Sequence, residues 1–254
     1  MNLKITHFVI FITIGFLTSC SESPKKLIQI EGKQIPIDTS YAETDSINDY
    51  IKPYRNRINE VLDSTLAYAT HKISKEDGLY NTSAGNLIAD IIKIQANPIF
   101  KSRTGNNIDF VLLNHGGIRS IISKGAVTAR TAYEVMPFEN TIVVVELNGK
   151  SILDLVQYLI NTKRAHPISG AQVILSKNNK LKTLNIQGKP FDNTKTYFVA
   201  TSNYLVNGGD NMGFFKDGLN VSETDYKIRN AIIDYFKKVD TLSPKVDNRY
   251  YKIK

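Results

Sequence analysis

The chain of 254 residues has one cysteine, Cys20. No disulfide can form within it, so stability has to come from an apolar core. Histidine is almost as scarce, with only His71, His115 and His166 after the N-terminal leader, and neither Asp-x-His nor Gly-His-x-His occurs. A two-metal hydrolytic centre draws several N and O ligands from several loops, and this chain does not offer that set. No internal repeat and no Pro- or Gly-rich linker divides the chain beyond its leader, which excludes a repeat architecture and a string of tethered domains.

Basic residues are in excess but not gathered. The formal charge of +8 falls to +7 once Lys4 is set aside with the leader, and the densest spots are Lys25-Lys26 and Lys237-Lys238. No aromatic residues interleave with them. Nucleic-acid binding needs a patch or stripe, so the excess reads as solubility and mild attraction for anionic ligands or surfaces.

Lys4 precedes a nearly unbroken apolar run, Ile5 to Leu17, which is too short for a membrane-spanning helix of about 20 residues. It ends in Leu17-Thr18-Ser19-Cys20, which resembles the lipobox of bacterial lipoproteins. That resemblance implies a leader over 1–19, lipidation of Cys20, and a protein held at a membrane in the periplasm or at the cell surface. The alternative is a secretory leader with an accidental cysteine. Residues 20–44 then read as a tether with a small hairpin or edge strand around Leu27 to Ile30 and Ile35 to Ile37.

With 42% hydrophobic and 22% charged residues, the rest can bury one core of ordinary density, and 45–254 is expected to be one domain. Thr44 and Asp45 look like caps for a helix that Pro53 should kink or restart, with Tyr54, Ile58, Val61, Leu62 and Leu66 on one face. A second helix starts at Thr82 or Ser83 and turns Leu87, Ile88, Ile91 and Ile92 inward. Ile108 to Leu113 reads as a buried strand running into Asn114. Thr128 caps a short helix to Val135, and Pro137 forces Met136 out of the helical region, which puts Phe138 on a loop. Thr141 to Leu147 is a strand, Ile152 to Ile160 a helical stripe, and further strands lie near Val173 to Leu175, Leu181 to Ile186 and Tyr197 to Ser202. A last helix carries Ile228, Ile232, Tyr235 and Phe236. The fold class is α+β, with a mixed sheet and flanking helices.

Two stretches stand out chemically: Asn114-His115-Gly116-Gly117-Ile118-Arg119 and Asn203-Tyr204-Leu205-Val206-Asn207-Gly208-Gly209-Asp210. In each, a glycine pair lets backbone approach a ligand, and beside it stands a residue suited to part of a nucleotide. Arg119 suits a phosphate and Asp210 a ribose hydroxyl. Taken singly, each has a plain reading as a tight turn, an exposed ion pair or a hairpin turn.

Together with Gly85 to Asp90 and Gly125 to Thr141, the latter ending in Met136-Pro137-Phe138-Glu139-Asn140-Thr141, these blocks make the chain similar from about Asp45 onward to the C-terminal domain of the 5′-nucleotidases. That family includes periplasmic UDP-sugar hydrolases and ecto-5′-nucleotidase. The resemblance implies that Asn114 and Arg119 contact phosphate, that Phe138 and Tyr204 sandwich the base, and that Asp210 accepts ribose hydroxyls. Gly116, Gly117, Asn207 and Gly209 would lie close to the ligand, and Gly170 near the base. A guanidinium fork fits phosphate oxygens, and base stacking tolerates different bases.

Two departures stand against the family pattern. No arginine lies between Lys75 and Tyr80, where a second phosphate clamp is usual, and His115 replaces a frequent glycine. The family's metal ligands lie in a separate N-terminal domain, so the resemblance implies no catalytic residue and no cofactor in this chain. A divalent metal pair is then expected in a partner metallophosphatase. The functions left open are the nucleotide-recognition subunit of a split 5′-nucleotidase, a lipoprotein that captures nucleosides or nucleotides without hydrolysis and, as a plain third, a decayed domain kept as scaffold.

Overall fold

The run Thr141–Asn148 alternates its burial between two cores, and the rest of its unit is layered around that strand. Ile142 and Val144 enter one apolar cluster, while Val143, Val145 and Leu147 enter another. Side chains of a strand alternate faces, so a continuous apolar run requires cover on both sides of its sheet. Full burial of each such side chain contributes about 1.5–3 kcal/mol.

The computed structural model describes residues 9–10, 25–38 and 40–253. It divides into two units, Met1–Tyr50 and Ile51–Lys254, with the division falling inside the first described long helix. The elements in chain order are α1 (Asp45–Asp63), β1 (Thr65–Ala69), α2 (Ser83–Thr104), β2 (Phe110–Leu112), β3 (Gly125–Thr128), α3 (Ala129–Val135), β4 (Thr141–Asn148) and α4 (Gly149–Thr162). They continue with β5 (Ile168–Ser169), β6 (Ala171–Leu175), β7 (Leu181–Ile186), β8 (Lys189–Pro190), β9 (Thr196–Ser202), α5 (Asn203–Val206), β10 (Asn220–Lys227), α6 (Ile228–Phe236), β11 (Thr241–Leu242) and β12 (Tyr250–Lys252).

Five strands in the order β10-β4-β9-β2-β5 form the central sheet, antiparallel except for the parallel pair β2 and β9. Helices α2 and α6 contribute to the core on one face, with Val111 and Ala200 from the sheet itself. Helix α4 and the strands β6 and β7 contribute to the core on the other, with Phe110, Leu112 and Val199. A three-stranded sheet, β11-β1-β3, and a four-stranded one, β12-β6-β7-β8, complete the α+β arrangement with mixed sheets and flanking helices.

The helix ends follow their capping residues. The Thr82 hydroxyl accepts the Gly85 N–H at 3.1 Å, and α2 closes on Gly105 in the left-handed region. Asn148 accepts the Ser151 N–H at 2.9 Å and opens α4, whose residues Ile152, Leu155, Val156 and Leu159 are buried at helical spacing. Thr128 and Thr131 form a reciprocal capping box at the start of α3, and Met136 leaves the helix as Pro137 demands.

Three expectations differ from the structure. Residues 25–38 form no strand, and Leu27, Ile28, Ile30, Ile35 and Ile37 are exposed, so the alternating pattern found no sheet to pair with. Helix α1 runs through Pro53 without interruption and buries none of its residues. In an exposed helix, water replaces the backbone hydrogen bond that a proline removes. Leu66 belongs to β1 rather than to the apolar face of α1. Cys20, and all of the leader except Val9 and Ile10, lie outside the described residues.

Candidate functional site

Strand β2 sits beside β9 in the central sheet, and the chain leaves both strands at the same end of that parallel pair. Past β2, Leu113 leads to Asn114, and a single 3₁₀ turn over His115–Gly117 follows. At the end of β9, Ser202 caps the short helix α5, which carries Tyr204, and the turn Gly208–Asn211 follows. The chain ends of a parallel pair are where α/β proteins commonly place ligands, because two loops emerge side by side.

The two loops meet through one carboxylate. Asn114 Nδ2 donates to Asp210 Oδ2 at 2.9 Å, and the Tyr204 hydroxyl donates to Asp210 Oδ1 at 3.0 Å. Asp210 and Asn211 both have left-handed backbones, with φ of 50° and 58°. Asn and Asp tolerate that region better than other side chains. Gly209 is required for a different reason, since a Cβ there would lie 2.4 Å from the Tyr204 ring. The turn can therefore fold against the aromatic only through a glycine.

The third contributor is the loop after α3. The Arg119 N–H donates to Val135 O at 2.9 Å, which ties the Asn114 loop to the end of that helix. Phe138 stands 40% exposed on the loop, and the Arg119 guanidinium carbon lies 5.8 Å from its ring centroid. Behind Phe138, Arg229 on α6 is buried; it donates to Pro137 O at 3.1 Å and to Phe138 O at 3.4 Å, and it pairs with Glu139. Its guanidinium also lies over the Tyr133 ring, 4.1 Å from the centroid. Hydrogen bonds from Lys227 and Arg229 hold the Glu139 carboxyl down to about 2.

Asn114, Gly116, Arg119, Phe138, Asn140, Tyr204 and Asp210 line one cavity of about 250 Å³. Sites for drug-sized ligands run from about 300 to 1,000 Å³, so this one lies just below that range. It offers two partly exposed rings, one guanidinium, one carboxylate and two amides. That set can stack a flat heterocycle, accept hydroxyl protons and neutralise an anionic tail.

Of the residues singled out from the sequence, Asn114, Gly116, Arg119, Phe138, Tyr204 and Asp210 share this cavity; Gly117 and Gly209 pack on the side chains of two of them, Asn114 and Tyr204, and Asn207 is not among its lining residues. Gly117 is packed on the Asn114 side chain, and Asn207 closes α5 with its side chain exposed. Gly170 lies elsewhere. It follows the edge strand β5 with φ of 87°, its carbonyl accepts the Gln187 N–H at 2.9 Å, and it lines a separate groove with Asp90, Gln187 and Arg249. That groove is larger, about 640 Å³, but none of its described lining residues is aromatic, so it has no ring on which a base could stack.

Sequence reasoning missed Asn140 as a lining residue, although it stands in the Met-Pro-Phe-Glu-Asn-Thr block. It also missed Arg229, Tyr158 and His166 as supports. An arginine inside a helical pattern carries no signal that it will be buried under a loop about 90 residues earlier in the chain. Among the described residues, no group of three or more His, Cys, Asp or Glu side chains is arranged to hold a metal ion.

The family described as 5′-nucleotidase, C-terminal domain, matches residues 61–217. The chain is 28% identical over 242 residues to the trifunctional nucleotide phosphoesterase protein YfkN of Bacillus subtilis, covering 86% of this chain and 16% of that protein. It is 28% identical over 206 residues to the cell wall protein Lmo0130 of Listeria monocytogenes, covering 72% of this chain and 26% of that one. Among solved structures, a 5′-nucleotidase precursor from Thermus thermophilus superposes with a TM-score of 0.66 at 24% identity, over 82% of this chain and 42% of that chain, and so shares the fold. The chain spans less than half the length of these relatives. With the two glycine-bearing loops and the strands that carry them inside the matched stretch, the chain belongs to the 5′-nucleotidase C-terminal domain family.

Proposed function

We propose that this protein binds a nucleotide in the cavity between the Asn114, Phe138 and Asp210 loops, as the recognition subunit of a split 5′-nucleotidase. The base stacks between Phe138 and Tyr204, the ribose hydroxyls donate to Asp210, and the phosphate lies near Arg119 and Asn114. A separate metallophosphatase chain holds the divalent metal pair and performs the hydrolysis, and this chain contributes no metal ligand. Cys20 carries a lipid anchor that keeps the protein at a membrane outside the cytoplasm, in keeping with a relative named as a cell wall protein.

The observation that carries this reading is the joint hydrogen bonding of Asp210 by Tyr204 and Asn114, which places a ring, a carboxylate and an amide from two distant loops around one cavity. A thermal-shift panel of nucleosides and nucleotides tests it. A ligand at 100 times its dissociation constant should stabilise the fold by about 2.7 kcal/mol, and no response to any of them would reject the reading. The split arrangement is tested by adding the chain to metallophosphatases from the same cell. Hydrolysis no faster than theirs alone would reject it.

Capture without hydrolysis is the second reading. It is favoured by the cavity's having Arg119 as the one cation among its described lining residues, since a nucleoside needs no phosphate clamp. A phosphate-reading site should prefer AMP to adenosine by more than about tenfold, as one charge-assisted contact allows, whereas equal affinity supports capture.

A further inference from the structure

Behind the cavity, α4 and the segment after it touch the backbone of both ligand loops. The Tyr158 hydroxyl donates to the backbone carbonyl of Asp210 at 2.7 Å. Beyond Lys163, which ends α4 in the left-handed region, His166 Nδ1 accepts the backbone N–H of His115 at 3.3 Å. His115 stands between Asn114 and Gly116, the two lining residues of the first loop. Neither Tyr158 nor His166 lines the cavity.

The two side chains are fixed in their own right. Their ring centroids are 5.5 Å apart, and Tyr158 meets Phe214 edge-on at 5.6 Å. His166 is buried, and its burial holds the imidazole down to about 4. A neutral ring with Nδ1 free of a proton is what the His115 contact requires, because a protonated nitrogen cannot accept.

Asp210 is the residue that most needs such support. Its left-handed backbone is unfavourable for a side chain with a Cβ, and such conformations persist where surrounding contacts impose them. The Tyr158 hydroxyl grips the carbonyl of that same residue. Released, the turn would relax and carry the carboxylate away from Asn114 and Tyr204.

We infer that Tyr158 and His166 are a positioning pair, held outside the cavity, that fixes the span between the Asn114 loop and the Asp210 loop and thereby sets the site's preference for ribose hydroxyls. This inference rests on the nucleotide-binding reading and names two residues that act through Asp210 and Asn114 without touching the ligand.

Calorimetric titration of the whole chain with AMP and with 2′,3′-dideoxy-AMP tests it. The wild type should prefer AMP by about tenfold or more, one charged hydrogen bond's worth. Tyr158→Phe removes one oxygen; it should weaken AMP about fivefold, leave dideoxy-AMP within about twofold, and so shrink the preference. His166→Asn keeps an acceptor at the Nδ1 position and should bind AMP within about twofold of wild type, whereas His166→Leu should lose about fivefold or more.

A wild type that discriminates while Tyr158→Phe discriminates equally well would overturn the inference and leave the nucleotide reading standing. A wild type that binds both ligands equally would overturn the inference together with the placement of the ribose on Asp210, and a wild type that binds neither would overturn the nucleotide reading itself. If Tyr158→Phe fails to fold, the His166 pair decides, and equal AMP affinity in His166→Asn and His166→Leu rejects the pair's role.

Discussion

Tyr204 and Asp210 are hydrogen-bonded to each other, hydroxyl to carboxylate, at 3.0 Å across the Gly208-Gly209 turn. The ring assigned to the base and the carboxylate assigned to the ribose are therefore coupled through one hydrogen bond. The geometry explains the glycine at 209, whose Cβ would strike the ring, and the left-handed backbone at 210.

This coupling separates two substitutions at Tyr204. Tyr204→Ala removes the stacking surface and should weaken all nucleobases by about 1–3 kcal/mol. Tyr204→Phe keeps the ring but leaves the carboxylate held by Asn114 alone, so base stacking should survive while the preference for ribose over dideoxyribose falls by about 0.5–1.5 kcal/mol, the net worth of one hydrogen bond. Fluorescence or calorimetric titration of both variants checks this. Equal losses in the two variants would mean that the ring contributes no stacking.

The Phe138 loop depends on Arg229, which is 5% exposed and donates to two of the loop's carbonyls as well as to Glu139. Arg229→Leu should lower stability by about 1–3 kcal/mol by leaving those acceptors without their donor, and it should also weaken nucleotide binding through Phe138. Arg229→Lys should rescue little, because an ammonium cannot reproduce the planar fork. Denaturant unfolding read beside nucleotide affinity checks both effects; a Lys variant equal to wild type would show that the loop does not need the fork.

Much of this arrangement was legible in the sequence because it is local. The β-branched run of β4, the caps at Thr82 and Thr128 and the interruption at Pro137 each act within a few residues, and the structure has them where their chemistry requires. The two glycine-bearing loops were legible for the same reason. The supports were not. Arg229, Tyr158 and His166 act on backbone carbonyls and N–H groups far away in the chain, and nothing in a side chain's identity tells which distant loop it will meet. The hairpin expected near Leu27 to Ile37 failed for a related reason, since an alternating pattern states which face is apolar but not that a partner strand exists.

His166 makes stability depend on pH. Burial is the main cause of its lowered pKa; His115 and Arg164 lower it further and Asp210 opposes them. An unfolded histidine near 6.5 takes up a proton before the folded one near 4 does, so stability is full above about pH 6.5 and falls as pH drops toward 4. The loss from this group should be about 3 kcal/mol, and His166→Asn should lack that part of the slope. Urea midpoints between neutral and acidic pH for both proteins check it. Parallel curves would show that His166 titrates normally.

The proposed function stands on one placement, a phosphate-bearing ligand in the cavity with its anionic end at Arg119. Calorimetric titration of wild type and Arg119→Ala with AMP and adenosine addresses that placement without any intermediate step. The wild type should show one site that holds AMP more tightly than adenosine, and Arg119→Ala should lose about 1.5–3 kcal/mol for AMP but almost none for adenosine. An AMP affinity unchanged by that substitution would refute the placement.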